Sequence, residues 1–557
     1  MKHVKHCLFA AAATLLLLLA LGGPAFAYTI TVNPGDQPTT GHSYKAYQIF
    51  TGTFSNGEIH VTGWSNDQFG SRVVEGLINN NNSFSDAVKA KINDSEHGPK
   101  TTDTAANSAG KVAYVLESIQ NNEKDAKLFA KIVKKAIEDD TTNSPQPIEL
   151  TLGTNGLYTA NVEFTGYYLI VDTASIGGTN DFVSDPILTM VIGDVVLSSK
   201  GNVPSVQKKV NTSVNQNDVA NGDWQDTADY HINDKVPFQL TGTLPSDFDQ
   251  YNTYAYTFTD NYSIGLSPII STIKVYVDKD GKTDTTNDKE LVSSGYTTSD
   301  DSASRTFTVS FENLKNVATG ISKDSKIIVE YNATLNENAV FGTSASNANS
   351  GNPNTVKLTY SNNPIGSGTG ITPPDTVYVF TYQLDVDKVN RDNHNDKGQN
   401  AEFILYSKSK NKWAQVTNGN ISGWTDEQNA TKLDTGSTGT FTVKGLDAGE
   451  YTLKETKEPT GFLMPSNRKT KFTITANLTE TLDATSATAA DAISNLKINN
   501  SADNANTSTG QVKLVIENSR SGSLPSTGSM GMFIMIGVGI CLMAGAGIYL
   551  LKNRKKA

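Results

Sequence analysis

A lysine and an asparagine that could react with each other lie at the two ends of the last strand-rich region of the chain. In a β-strand over 382–389, Lys388 shares one face with the three apolar residues at the alternate positions before it. The same period of two in 512–518 places Asn518 on the apolar face of its strand. Both side chains are therefore predicted to point inward, where desolvation favours a neutral, nucleophilic lysine amine.

A motif between these two positions supplies an acid. Residues 451–456 read YTLKET and are followed by Glu458-Pro459-Thr460-Gly461-Phe462. This segment resembles the E-box, Y-x-L-x-E-T-x-A-P-x-G-Y, of Gram-positive pilin subunits and collagen-adhesin B-type domains, and it departs from that pattern at Glu458 and Phe462. The resemblance implies that Glu455 promotes an isopeptide bond between Lys388 on the first strand and Asn518 on the last.

Burial gives this reaction a physical basis. Desolvation lowers the pKa of a lysine and raises that of a glutamate, so Lys388 becomes a neutral amine and Glu455 a protonated acid that polarises the asparagine amide. Attack of the amine on the amide then expels ammonia. The alternative is a buried ion pair between Lys388 and Glu455, capped by Asn518, which a core can tolerate at some cost.

The middle region repeats this pattern. The period of two places Lys208 on an apolar face and Lys209 on the opposite one, and it places Asn354 on the apolar face of a later strand. The segments 331–335, 351–354 and 361–364 resemble the second domain of backbone pilins, which implies a bond between Lys208 and Asn354. The acid that the resemblance favours is Asp260, although Thr-Asp before a turn is also ordinary at a strand end.

The motif with the highest specificity is Leu524-Pro525-Ser526-Thr527-Gly528. It resembles the LPXTG sorting signal, in which a sortase cysteine attacks the threonine carbonyl and passes the acyl group to an amine. In backbone pilins the accepting lysine lies in a Y-P-K-N motif before the second domain. Lys200 has the corresponding position but different flanking residues, so it is either the acceptor or an ordinary solvated lysine.

Both ends of the chain read as targeting segments. Basic residues precede the apolar run 8–21, and Ala25-Phe26-Ala27 is typical of a signal-peptidase site, so the mature chain is expected to begin at Tyr28. Residues 530–551 carry no charge and would span about 33 Å as a helix at ~1.5 Å per residue. The basic tail 552–557 that follows favours a membrane span over a buried core helix.

The composition of the exported part excludes several classes of protein. The two cysteines, Cys7 and Cys541, both lie in the end segments, so no disulfide is available to the ectodomain. Removing the six basic residues of the two ends from the 46 Lys and Arg leaves 40 against 57 Asp and Glu, a net charge of −17, which argues against nucleic acid as a partner. The histidines show no zinc-ligand spacing, and Asp278-Lys279-Asp280-Gly281 departs from an EF-hand, so neither a metal nor a cofactor is predicted.

The distribution of hydrophobic residues predicts three units in a row. Amphipathic helical segments occur only in the first, and short strands between Gly, Asn, Asp and Pro clusters fill the others, so we expect a mainly β protein of tandem Ig-like, collagen-adhesin B-type sandwiches with a helical insertion in the N-terminal domain. The predicted segments are a signal peptide (1–27), an N-terminal pilin domain without an internal bond (28–202), an isopeptide-forming sandwich (203–365), a linker (366–375), a C-terminal sandwich with the E-box (376–522), the sorting motif (524–528), a transmembrane helix (530–551) and a cytoplasmic tail (552–557).

These features favour a structural protein over an enzyme. The resemblance implies a shaft subunit of a pilus on a Gram-positive cell surface, whose partners are a sortase, neighbouring subunits, peptidoglycan and, in addition, host surface or matrix proteins. The alternative is an adhesin anchored singly to the cell wall. An exported enzyme is disfavoured, because no nucleophile elbow or phosphate-binding loop occurs.

Overall fold

The computed structural model describes residues 28–34, 42–55, 58–119, 123–173, 182–184, 186–198, 203–212, 222–282, 289–344, 346–364, 367–484, 486–520, 540 and 542–548. The predicted signal peptide, Lys200, the sorting motif, the basic tail and most of the predicted transmembrane helix lie outside these residues. Within them, no helix is long and apolar enough to cross a membrane.

The first region combines one sheet with four helices. Its strand order is β7-β6-β2-β4-β5-β1-β8, with β3 paired to β2. The strands are β1 (Tyr28–Asn33), β2 (Tyr44–Ser55), β3 (Glu58–Trp64), β4 (Ile148–Leu152), β5 (Tyr158–Val162), β6 (Gly166–Asp172), β7 (Ile187–Val191) and β8 (Val195–Ser198). The helices are α1 (Asp67–Asn79), α2 (Asp86–Ile92), α3 (Ala105–Ile119) and α4 (Glu123–Glu138).

Local sequence explains why the helices form and where they pack. The Asn66 side chain accepts hydrogen bonds from the backbone of Gln68 and Phe69, which caps the start of α1. In α4 the buried residues follow the i, i+3, i+4, i+7 spacing of one helix face: Phe129, Ile132, Val133 and Ala136. This face shares a hydrophobic core with α1, α3 and the sheet. The helices, which lie between β3 and β4 in the sequence, therefore form an insertion that packs on the sheet.

The middle sandwich consists of two facing sheets. The orders are β10-β9-β12-β18-β14-β15 and β11-β21-β19-β13-β17-β16, with β20 paired to β19. The strands are β9 (Val206–Asn211), β10 (Trp224–Gln225), β11 (Thr227–Asp229), β12 (Lys235–Thr243), β13 (Tyr256–Tyr262), β14 (Leu266–Asp278), β15 (Lys289–Val292), β16 (Thr297–Asp301), β17 (Thr306–Phe311), β18 (Lys326–Leu335), β19 (Pro353–Ser361), β20 (Thr369–Ile371) and β21 (Asp375–Phe380). Residues from both sheets form a single aromatic-rich core between them.

The C-terminal sandwich is one continuous ladder. Its order is β31-β30-β29-β24-β25-β26-β28-β22-β33-β32, with β23 on β22 and β27 on β24. Its elements are β22 (Tyr382–Asn390), β23 (Asn393–Lys397), β24 (Glu402–Ser407), β25 (Lys412–Thr417), β26 (Asn420–Thr425), β27 (Leu433–Asp434), β28 (Thr440–Leu446), β29 (Gly449–Lys457), β30 (Lys469–Leu478), the short helix α5 (Ala489–Ala492), β31 (Ile493–Ile498), β32 (Ala505–Asn506) and β33 (Gln511–Asn518). The core contains side chains from β22, β28 and β33 as well as from β24, β29 and β30, so the ladder folds over on itself.

The predicted mainly β fold with a helical insertion is confirmed. The described part of the predicted linker 366–375 contains strand residues rather than a free connection. Residues of β20 pair with β19, and Asp375 already begins β21, which pairs with both β19 and β11. Gly, Ser and Pro are compatible with a short edge strand, so this composition did not distinguish a free connection from the end of a sheet.

Candidate cross-linking sites

The C-terminal sandwich brings its lysine, glutamate and asparagine together in the core. Lys388 Nζ donates to Asn518 Oδ1 at 2.5 Å and lies 3.4 Å from Glu455 Oε2, while Asn518 Nδ2 donates to Glu455 Oε1 at 2.7 Å. The exposed fractions of the three residues are 0%, 2% and 2%. The lysine amine, the asparagine amide and the glutamate carboxyl group therefore contact one another in a part of the core that solvent does not reach.

Strand geometry accounts for this meeting. The first and last strands, β22 and β33, are parallel neighbours in which Lys388 pairs with Ile516, two residues before Asn518. Glu455 lies on β29, where alternate residues face the same core. The backbone around Lys388 is also closely packed, because a Cβ at Gly398 would lie 2.5 Å from Cγ of the lysine. Gly398 thus leaves the room that the Lys388 side chain occupies.

Burial shifts both titratable groups of this site toward their neutral forms. Desolvation lowers the pKa of Lys388 to about 8, although the Glu455 carboxylate opposes the shift. Desolvation likewise raises the pKa of Glu455, against the effect of the lysine and of the Asn518 amide. A neutral amine beside a protonated acid is the state from which an amine can attack a carboxamide.

The middle sandwich holds a second set of the same three groups. Lys208, Asp260 and Asn354 are each 0% exposed. The lysine comes from β9 in one sheet, and the other two come from β13 and β19 in the facing sheet, so the set spans the core. Lys208 Nζ donates to Asp260 Oδ2. Asp260 lies within β13 rather than at its end.

A tyrosine that the sequence analysis did not identify joins this second site. Tyr331 Oη accepts a hydrogen bond from Lys208 Nζ at 3.0 Å and one from Asn354 Nδ2 at 2.8 Å, and it donates to Asp260 Oδ2 at 3.1 Å. Desolvation lowers the pKa of Lys208 and raises the pKa of Asp260, each against the effect of the other. Tyr331 had no signal in the sequence, because its role depends on which side chains the opposite sheet presents.

Other lysine–aspartate pairs in the described residues show what a plain ion pair looks like in this fold. Lys209 points away from its neighbour Lys208 and contacts Asp226 at 2.6 Å, and Lys410 contacts Asp234 at 2.8 Å. Both of these lysine side chains remain 18% exposed, whereas those of Lys208 and Lys388 are fully buried. Solvent thus reaches the first two lysines, whereas Lys208 and Lys388 are cut off from it, and desolvation lowers the pKa of both.

The two sandwiches meet at a buried polar cluster that the sequence analysis also missed. His231 is 0% exposed and contacts Asp234 at 3.3 Å on one ring nitrogen and Asp447 at 3.1 Å on the other. Across the boundary, the backbone N–H of Ala448 donates to Asp229 Oδ2 at 3.0 Å. The middle and C-terminal sandwiches are thus joined by contacts between buried polar groups as well as by the connecting chain.

This cluster predicts that the junction weakens as the pH rises. Burial, followed by the nearby Asp447 carboxylate, raises the pKa of Asp229 to about 7, and burial raises the pKa of Asp447 as well. A raised carboxyl pKa stabilises the docked state fully below the free value of about 4, and that contribution is lost as the pH rises through about 7. We therefore expect calorimetry to show a lower unfolding temperature at pH 8 than at pH 5.

The variant Asp229→Asn is the matched test of this pH dependence. It keeps the shape and an acceptor for Ala448 while removing the charge, so its unfolding temperature should change less between these two pH values. Asp234 cannot produce the same effect, because His231 and Lys410 lower its pKa despite burial, so its contribution is lost only under acid conditions. An unchanged pH profile in the variant would exclude Asp229 as the group responsible.

Within the described residues, no group of three His, Cys, Asp or Glu side chains could hold a metal ion. Lys200, as well as Leu524, Pro525, Ser526, Thr527 and Gly528, lies outside the described residues, so the acceptor and the sorting motif stay predictions from the sequence.

Comparisons with known proteins agree with this architecture. Residues 383–488 match the SpaA prealbumin-like fold domain. The trypsin-resistant surface T6 protein of Streptococcus pyogenes serotype M6 is 24% identical in an alignment 505 residues long, which covers 78% of this chain and 80% of that protein.

Two solved pilin structures align with most of this chain at low sequence identity. The T6 backbone pilin of S. pyogenes serotype M6 has a TM-score of 0.48 at 15% identity, covering 90% of this chain and 100% of that one. The major pilin SpaD of Corynebacterium diphtheriae has a TM-score of 0.42 at 16% identity, covering 89% and 98%. This chain is therefore similar in sequence to a streptococcal surface protein over most of its length, and its residues 383–488 match a domain of prealbumin-like fold.

Proposed function

We propose that this chain is the shaft subunit of a covalently polymerised pilus, stabilised by two self-formed isopeptide bonds. A sortase joins Thr527 of one copy to Lys200 of the next, and the last subunit is passed to peptidoglycan. One observation carries the proposal of internal bonds: each of two consecutive sandwiches encloses a buried lysine, a carboxyl group and an asparagine that hydrogen bonds connect, directly in the C-terminal sandwich and through Tyr331 Oη in the middle one. Each bond forms in a single turnover, so the protein is not an enzyme in the ordinary sense.

The positions of the groups suit a protein under tension. Lys388 and Asn518 are 130 residues apart in the sequence but lie on adjacent parallel strands. A bond between them would carry a pulling force directly from the first strand to the last, so the strands between them would bear no load. In the middle sandwich the bond from Lys208 to Asn354 would act in the same way. Asn354 lies on β19, which pairs with β21, the last strand of this sandwich.

Such bonds would also replace the disulfides that this chain lacks. The ectodomain contains no cysteine, and the core of each sandwich already excludes water from the reacting groups. Closing a long loop with a covalent link removes entropy from the unfolded chain, by about 4 to 5 kcal/mol for loops of 100 residues or more on the estimate used for disulfides.

An immunoblot of cell-wall extracts distinguishes a pilus from a single anchored adhesin. A shaft subunit should give a ladder of species that resists boiling in detergent, because each step adds one covalently joined copy. A single band at the size of one subunit would instead support the adhesin, which needs the same sorting signal but no acceptor lysine.

A further inference from the structure

The Tyr331 hydroxyl lies at the centre of the middle site and contacts all three of its reacting or proton-carrying groups. It hydrogen-bonds to Lys208 Nζ at 3.0 Å, to Asn354 Nδ2 at 2.8 Å and to Asp260 Oδ2 at 3.1 Å. These contacts include both the nitrogen that would enter the new amide and the nitrogen that would leave as ammonia. The tyrosine is 3% exposed, so bulk water does not compete for these positions.

Comparison of the two sites shows what this hydroxyl replaces. In the C-terminal site, the Glu455 carboxyl contacts both nitrogens, Lys388 Nζ at 3.4 Å and Asn518 Nδ2 at 2.7 Å. Asp260 is shorter by one methylene group. It contacts its lysine, but the Asn354 amide nitrogen donates to Tyr331 instead. Aspartate and tyrosine in the middle site thus cover the contacts that glutamate makes alone in the other.

We propose that Tyr331 is a catalytic residue of the middle isopeptide bond, relaying a proton between the Asp260 carboxyl group and the leaving nitrogen of Asn354. This inference rests on the proposed bond between Lys208 and Asn354. It adds a fourth participant, which the C-terminal site does not need because its acid reaches the leaving group directly.

The proton balance of this step is complete within the four side chains. The neutral Lys208 amine attacks Cγ of Asn354, forming a C–N bond, and the bond from Cγ to Nδ2 breaks. Asp260 gives its proton to the Tyr331 oxygen while Tyr331 gives its own proton to Nδ2, which leaves as ammonia. The Asp260 carboxylate then takes a proton from Lys208 Nζ. One proton has moved from Nζ to Nδ2, and Asp260 and Tyr331 are as they began.

A concerted relay fits the surroundings of the hydroxyl. Burial raises the pKa of Tyr331 well above its ordinary value, so a free phenolate is disfavoured and the hydroxyl must gain one proton as it gives up another. The ring is fixed by Phe238, stacked at 5.3 Å between centroids, and by Phe307, edge-on at 4.8 Å. These aromatic contacts hold the oxygen in place and do not depend on it.

The variant Tyr331→Phe isolates the hydroxyl, because it keeps both aromatic contacts. A positioned proton donor contributes about 10² to 10⁴ in rate, so formation of the middle bond should slow by ~100-fold or more. The measurement is a time course of the mature ectodomain after a short pulse of cell-free synthesis, by intact mass and by quantifying the Lys208–Asn354 cross-linked peptide. The Lys388–Asn518 peptide of the same molecules is the internal control and should form at the wild-type rate.

A double variant separates proton relay from packing. In Tyr331→Phe with Asp260→Glu, the longer acid occupies the space of the lost hydroxyl and should reach Asn354, so bond formation should recover. Recovery supports the relay even if the single variant is destabilised. A wild-type rate in Tyr331→Phe contradicts the proposal, and so does failure of the double variant while its C-terminal bond still forms. Absence of the Lys208–Asn354 peptide in the wild type would refute the proposed bond itself.

Discussion

Replacement of Glu455 by glutamine is expected to abolish the bond in the C-terminal sandwich. The substitution keeps the shape and most hydrogen bonds to Asn518 but removes the acid that accepts and returns protons at the reacting amide. Lys388 would then stay in the core without either its covalent partner or a carboxylate, at a cost of about 3 to 5 kcal/mol. Loss of the link across 130 residues adds a further entropic cost of about 5 kcal/mol.

Three readouts check this expectation. After allowance for the mass change of the substitution itself, the intact mass should be one ammonia higher than that of the wild type. The unfolding temperature of the C-terminal sandwich should fall, and trypsin should cleave it faster. Glu450→Gln is the matched control, because Glu450 lies on the same strand with a side chain 59% exposed and pairs only with Lys408 at the surface. A cross-linked peptide containing Lys388 and Asn518 in the Glu455→Gln protein would show that the acid is misassigned.

Replacement of Lys200 by alanine should abolish polymerisation without affecting export or wall anchoring. A shaft grows by joining Thr527 of one copy to an amine of the next, a head-to-tail contact that does not close on itself. Lys200 lies in a Gly- and Ser-flanked stretch between the first region and the middle sandwich. The high-mass ladder should therefore disappear from immunoblots, while the monomer stays attached to the wall through residues 524–528.

Lys209→Ala provides the control for this experiment. Lys209 is close in sequence and partly exposed, but it is paired with Asp226, whose side chain is buried. Its loss should leave the ladder intact. Persistence of the ladder in Lys200→Ala would mean that another lysine accepts the threonine, and the search would move to the exposed lysines of the first region.

The alternation of side chains along a β-strand made the lysine and asparagine of each candidate site predictable from the sequence. Lys388, Asn518, Lys208 and Asn354 each share one strand face with apolar residues at alternate positions, so their inward direction is a local property of one strand. The structure has all four in the cores. The assignment of Asp260 as the acid depended on a family resemblance, because an aspartate after threonine is also common in turns.

Features that arise between elements could not be predicted in this way. Tyr331 meets Asp260 and Asn354 only because β18 faces β13 and β19 across the core, a relation that no single strand encodes. The same holds for His231 and Asp447, which come from different sandwiches and meet only after docking. Tertiary contacts of this kind need the fold itself.

The account depends most directly on the two internal bonds, and intact-mass spectrometry of the recombinant ectodomain from Tyr28 to Thr527 measures both at once. Each bond replaces an amine and a carboxamide by one amide, so the protein should weigh less than its sequence by two molecules of ammonia. Digestion should then yield one peptide joining Lys388 to Asn518 and another joining Lys208 to Asn354. A mass equal to that of the unmodified sequence would contradict both bonds and leave the two sites as buried ion pairs.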